Sequence, residues 1–426
     1  MPLLQRKRPA RRQASRLLKT LGPGLVTGAS DDDPSGIVTY SQAGAQFGLA
    51  TLWTALLTFP LMAAVQGMAA RIGMVTSQGL TGTLKMHYPR GVLYAMIIVS
   101  FPAVVLNIGA DIQSMGAVAH LLIPGIPTFA FCILFTAILL WVIIRYSYRR
   151  VAALLKWLCL ALLLYLIIPF LVHPNWGEVF RHTFIPTVRF DKEFMSILVA
   201  ILGTTISPYL FFWQATMEAE DMEHASRKRI MIDRRLLGAM RRDVNTGMLF
   251  SNIVTYFIIL TAGVVLFGGG VRQIETVEQA AHALRPLAGQ LSYLLFAIGV
   301  IGTGFLGIPV MAGSVSYMLA ETFGFTKGLD KKFYQARRFY GVIIVSLVAG
   351  LCLQFLGITP VQALIYTAIL YGLTAPVMIV LLLHIGNNKK IMGKHTNSAL
   401  SNILGALTLL LMTGAAVALL WLQFSS

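Results

Sequence analysis

Asp31-Asp32-Asp33-Pro34-Ser35-Gly36 lies between two apolar runs, one starting near Leu17 and the other reaching Phe47. Hydrocarbon tolerates such charge badly: an Asp at the bilayer centre costs about 2.5–3.5 kcal/mol, so three cost on the order of 8–10 kcal/mol. Pro34 removes a helical hydrogen bond, and Ser35-Gly36 makes unwinding easy. Unwound backbone survives at membrane depth only where protein covers it or where it lines a watery cavity. The stretch therefore reads as a cation site at a break in the first membrane helix.

Composition supports a membrane setting. The chain has 426 residues, 56% hydrophobic and 12% charged, with mean hydropathy +0.73. That apolar excess predicts an all-α polytopic membrane protein. The net charge of +17 is spread in short clusters between apolar segments, so it reads as membrane orientation, and no nucleic-acid partner is expected. Cys132, Cys159 and Cys352 lie in apolar segments without metal-ligand spacing and read as core packing. The basic stretch from Arg6 to Lys19 is laid out like the start of a signal peptide. Gly22-Pro23-Gly24 then leads into acids rather than a cleavage site, so 1–19 is read as a basic cytoplasmic segment of the mature chain.

Apolar runs predict eleven spans, near 20–43, 49–70, 91–119, 128–146, 152–172, 194–216, 245–267, 289–319, 339–356, 361–384 and 398–422. With the N-terminus inside and the C-terminus outside, only Arg181, Arg189, Lys192, Arg272 and Arg285 of the 34 Lys and Arg fall outside. A miscounted span would scramble that alternation. Of the 17 Asp and Glu, only Asp31, Asp32, Asp33 and Asp111 lie well inside spans, and Glu321 marks a span end. No Lys or Arg lies deep enough to neutralise them, which leaves protons or cations as partners.

A second interruption begins the sixth span, Leu202-Gly203-Thr204-Thr205-Ile206-Ser207-Pro208-Tyr209. Pro208 frees backbone carbonyls near Thr204 and Thr205. Alone it is as readily an ordinary kink. Beside the acidic break, it places two Pro-interrupted spans at the start of successive five-span blocks. Such a pair points to an inverted-repeat transporter with its site between the breaks. The expected organisation is a ten-helix core over 20–384, in halves 20–172 and 194–384, and an eleventh helix over 398–426.

These residues resemble a known family. Gly22-Pro23-Gly24 with Asp33-Pro34 resembles the first helix of the NRAMP divalent-metal transporters, whose motif there is Asp-Pro-Gly-Asn. Gly203 to Pro208 is similar to the family's sixth-helix motif, Gly-Ala-Thr-Val-Met-Pro-His. Asn107-Ile108-Gly109-Ala110-Asp111 resembles its third helix. The resemblance runs from Leu21 to at least His384 and implies a LeuT-like five-plus-five inverted repeat with helices 1 and 6 unwound. It also implies Asp33 as the principal metal ligand and the Thr204 carbonyl as a second. Gly36 stands at the family's Asn, Ser207 at its Met, Tyr209 at the following His and Gln214 at a second His tied to proton movement. The family's Gln on the tenth helix has no clear match in Val361 to Pro376.

Those departures carry the expectation about the ion. Thioether and imidazole suit manganese, iron and later transition ions, whereas the donors here are expected to be oxygen. Mg²⁺ is hard and keeps several waters. Gly36 and Ser207 remove bulk, leaving room for a hydrated ion, the pattern of the NRAMP-related magnesium transporter branch that the chain resembles. The expected activity is uptake of Mg²⁺, with Mn²⁺ accepted, as transported substrate and without a cofactor. The expected location is a bacterial inner (plasma) membrane, with divalent cations and lipid as partners and a monomer as the unit.

Asp32 points roughly 100 degrees from Asp33 if helical geometry persists, toward a vestibule. Asp31 and Asp32 have a second reading, as acceptors for amides freed by the break. Asp111 reads as a further acidic stop on the pathway or as a buried hydrogen-bonded acid. Thr205, Tyr209 and Gln214 line the pathway or pack at an interface. With Gln214 in place of His, helix 6 is expected to lack a group titrating near neutrality, so uncoupled uptake is expected over proton symport. A membrane-embedded transferase would want a second acidic cluster and basic residues for phosphates, whereas the spans hold one cluster and no deep Lys or Arg. A small-solute symporter on the same fold would set three acids against a substrate carboxylate. A channel would want a symmetric pore loop rather than two breaks in one chain.

Overall fold

The computed structural model describes residues 22–146, 160–226 and 232–425, and all regular structure among them is helical. The segment 1–19, Cys159, the start of the fifth expected span and part of the basic loop from Arg227 to Arg242 lie outside the described residues.

The first span is two helices, α1 (Pro23–Asp31) and α2 (Pro34–Phe47). Next come α3 (Leu52–Thr76), the short α4 (Leu80–His87), α5 (Arg90–Leu122) and α6 (Thr128–Arg145). The fifth span is described from Leu160 and ends in α7 (Leu164–Val172). After α8 (Trp176–Phe184), the sixth span is again two helices, α9 (Lys192–Thr205) and α10 (Pro208–Ser226). The remaining long helices are α11 (Arg234–Ala262), α12 (Ser292–Phe323), α13 (Arg337–Leu351), α14 (Pro360–Asn387) and α15 (Ala399–Ser425). Nine helices among the described residues are long and apolar enough to cross a membrane. The halves of the interrupted first span are each too short to be among them.

Both interruptions have the same local cause. At the first, Asp32 (φ −83°, ψ 56°) leaves helical geometry and Asp33 (φ −72°, ψ 173°) is extended. The Asp33 side chain accepts from Gly36 N at 2.9 Å, an N-cap that starts α2 with Pro34 as its first residue. At the second, Ile206 (φ −116°, ψ 57°) ends α9, and Pro208 opens α10. Proline without an amide hydrogen fits a first turn, where that hydrogen would have no helical partner.

Two sequence expectations are corrected. The sixth span does not end at 216: Met217-Glu218-Ala219-Glu220 are good helix formers, and α10 continues through them, burying Glu218 at 4% exposure. Cys132 is buried, but Cys352 is exposed where α13 gives way to a 3₁₀ turn.

The sixth span runs through the centre of the molecule, with 94% of its apolar window buried against 28% for α6. Trp141, Ile98 and Phe424 are exposed on outward faces, as lipid contact requires. Near the breaks the helices meet backbone to backbone. A Cβ at Gly28 of α1 would overlap the Gly247 carbonyl of α11, and one at Gly203 of α9 would overlap the Ala368 carbonyl of α14. Small residues allow this approach, which holds membrane helices by close packing. Gly28→Val is therefore expected to lower the thermal midpoint of the detergent-purified protein, by an overpacking cost of about 1–3 kcal/mol. Gly414→Val, with nothing within 4 Å of the added carbon, should leave it unchanged. Equal midpoints for the two variants would contradict the seam.

Candidate metal site

Asp33 sits where the two breaks meet and is 2% exposed. Its Oδ1 is occupied by the Gly36 amide, and its Oδ2 accepts from Asn107 Nδ2 of α5 at 3.0 Å. The same Asn107 nitrogen donates to Met311 Sδ of α12 at 3.0 Å, while Asn107 Oδ1 accepts from Thr367 of α14 at 2.8 Å. Four helices thus meet around one carboxylate: α2 and α5 bond it, and α12 and α14 hold Asn107, because Asn107, Met311 and Thr367 all lie on inward faces of long spans. Each carboxylate oxygen has lone pairs beyond those used, so Asp33 can still ligate a cation. Gly36 faces the sixth span: a Cβ there would lie 3.2 Å from the Tyr40 ring and 3.5 Å from Thr204 Oγ1.

Across the gap, Ser207 Oγ donates to the Thr204 carbonyl at 2.6 Å and reaches the Gly203 carbonyl at 3.2 Å. The carbonyl freed by Pro208 is therefore met by the next side chain, and Ser207 keeps its own lone pairs. Thr205 Oγ1 pairs with Tyr40 OH at 2.9 Å. Tyr209 donates to the Ser30 carbonyl at 3.1 Å, closing the other break.

The remaining acids are buried rather than facing a vestibule. Asp31 is 0%, Asp32 1% and Asp111 0% exposed. Helical geometry does not persist through Asp32, so its side chain turns with that of Asp31 toward α11. There Ser251 Oγ is 2.7 Å from Asp31 Oδ2 and 3.2 Å from Asp32 Oδ1. Neither side chain takes a break amide; that role belongs to Asp33. Asp111, one turn beyond Asn107, has no hydrogen-bond partner on either side-chain oxygen. It lies close enough to Asp33 for their charges to interact.

Gln214 is not on the gap. Its Oε1 accepts from Thr27 of α1 at 2.6 Å, and its Nε2 donates to Glu218 at 3.1 Å. Glu218 is a buried acid that hydropathy alone assigned to a loop.

Through Asn107, the Met311 thioether of α12 also comes near Asp33, a neighbour that no motif in the sequence marks. Asn107 stands in the third-helix motif one turn from Asp111, but its role beside Asp33 was not read from the sequence. Ser251 and Thr367 carried no signal beyond being hydroxyls in apolar spans. No group of three or more His, Cys, Asp or Glu converges to hold an ion among the described residues. An ion at Asp33 would keep one carboxylate and otherwise neutral donors or water.

Comparison with known proteins agrees with this architecture. The chain is 25% identical over 401 residues to a protein of Caldanaerobacter subterraneus named divalent metal cation transporter MntH, covering 93% of this chain and 91% of that one. The Eremococcus coleocola manganese transporter, solved with an aromatic bis-isothiourea compound, superposes with TM-score 0.75 at 18% identity, over 99% of this chain and 88% of that one. MhsT in complex with L-phenylalanine has the same fold at TM-score 0.64 and 14% identity, over 95% of this chain and 98% of that one. The model of the family described as natural resistance-associated macrophage protein-like matches residues 24–422, and the chain belongs to that Nramp family.

Proposed function

We propose that this chain is a divalent metal cation transporter that takes up Mg²⁺, with Mn²⁺ accepted, as a largely hydrated ion by alternating access. The observation that carries the reading is the surrounding of Asp33: its carboxylate where the two breaks meet, a glycine at 36, and Asp31 and Asp32 turned away toward Ser251 rather than converging with it. A single carboxylate with neutral oxygens suits an ion that retains water. The relatives named as divalent metal transporters support the ion class, and oxygen donors suit Mg²⁺ and Mn²⁺ alike. In this reading Asp33 binds the ion, and Thr204 and Ser207 contact it directly or through water. Asp111, Thr205 and Tyr209 line its path, within a core over 20–384 and with the N-terminus cytoplasmic. A divalent ion gains about 4.6 kcal/mol per 100 mV, inside negative, so inward movement needs no second substrate.

A second reading, proton-coupled transport, is favoured by Glu218, a buried acid on the sixth span bonded to Gln214. Liposomes holding a pH-sensitive dye separate the two. Uncoupled transport leaves internal pH unchanged during Mn²⁺ uptake at zero imposed pH gradient, and metal-dependent acidification would refute it.

Radiolabelled Mn²⁺ uptake in proteoliposomes should be inhibited by millimolar Mg²⁺ and abolished by Asp33→Ala. Inhibition by Cd²⁺ alone would contradict the hydrated-ion site. Gly36→Asn, which fills the space between α2 and α9, should weaken Mg²⁺ inhibition by roughly tenfold, about 1.4 kcal/mol. Unchanged competition would remove the role given to Gly36.

A further inference from the structure

Four carboxylates are buried around the two breaks, and no Lys or Arg among the described residues bonds to any of them. A divalent ion at Asp33 brings two positive charges. Fully ionised, the four acids carry twice that. The surplus lies with Asp31 and Asp32, on the side of the break turned toward α11 and away from Asn107.

Their geometry is that of an incomplete coordination shell. The single Ser251 proton can satisfy only one of the two carboxylates at a time, although its oxygen touches both. Asp31 Oδ1 and Asp32 Oδ2 have no hydrogen-bond partner. Thr255, one turn beyond Ser251 on the same face of α11, is 0% exposed, and its hydroxyl also has no partner. Tyr40, paired with Thr205, is near enough to feel the charge of both acids. Burying charged oxygens without donors is strongly unfavourable, and a cation removes the penalty by accepting their lone pairs.

We propose that Asp31, Asp32 and Ser251 form a second divalent-cation site, distinct from the site at Asp33. Two carboxylates and hydroxyl oxygens match the preference of Mg²⁺ and Mn²⁺ for hard donors, and two negative charges match one such ion. An ion there ties the inner end of the break to α11 while the transported ion occupies the opposite side. The proposal rests on the reading of Asp33 only in counting the transported ion as the first.

Equilibrium dialysis of the full-length purified protein against radiolabelled Mn²⁺ tests it. Wild type should bind two ions per chain and Asp33→Ala one. Asp31→Asn and Asp32→Asn should each also bind one, and the milder Ser251→Ala should weaken one of the two ions by about tenfold. Size-exclusion profiles matching wild type confirm that each variant is folded, and Ser251→Ala serves where an Asp variant is not. Saturation at one ion that Asp33→Ala abolishes overturns the second site and leaves the proposed function intact. Saturation at one ion that survives Asp33→Ala but is weakened about tenfold by Ser251→Ala supports the second site and overturns the cargo site. Two ions unaffected by Asp31→Asn, Asp32→Asn and Ser251→Ala would overturn the assignment to these residues.

Discussion

The hydrogen bond from Tyr209 to the Ser30 carbonyl joins the two interruptions, and the arrangement around it depends on such repairs. A chain that stops being helical inside a bilayer frees amides and carbonyls that water cannot reach. Here the freed groups are met from within the pair. Asp33 takes the Gly36 amide, Ser207 takes the Thr204 carbonyl, and Tyr209 crosses to the opposite helix. Once the backbone is satisfied, the carboxylates between the breaks are left as the groups still seeking positive charge.

Much of this was legible because it is written in local chemistry. Pro34 and Pro208 mark helix restarts whatever surrounds them, and Asp33 before Pro34 is both an N-cap and a buried acid. Pairing across long sequence separations was not legible. Nothing in Met311 distinguishes it from any packing methionine until α12 lies against α5. Ser251 looks like one more small hydroxyl residue until it meets Asp31. The end of the sixth span was misplaced because hydropathy falls at Glu218 while helix propensity does not, and burial followed the helix.

The surroundings of Asp33 combine opposed preferences. Glycine stands at 36 and a serine hydroxyl at 207, whereas the thioether of Met311 lies one amide away. Asn107 mediates between them, since one nitrogen holds both the carboxylate and the sulfur.

The seam between α1 and α11 is made of Gly24, Gly28 and Gly247, with backbone lying on backbone. At these glycines no side chain separates the two backbones. Polar contacts fasten α1 as well: the Gly24 amide to Asp243 and Asp31 to Ser251 on α11, and Thr27 to Gln214 on α10. The first helix is thus fastened at separate points along a seam of bare backbone, so removing one fastener leaves the close approach of the glycines intact.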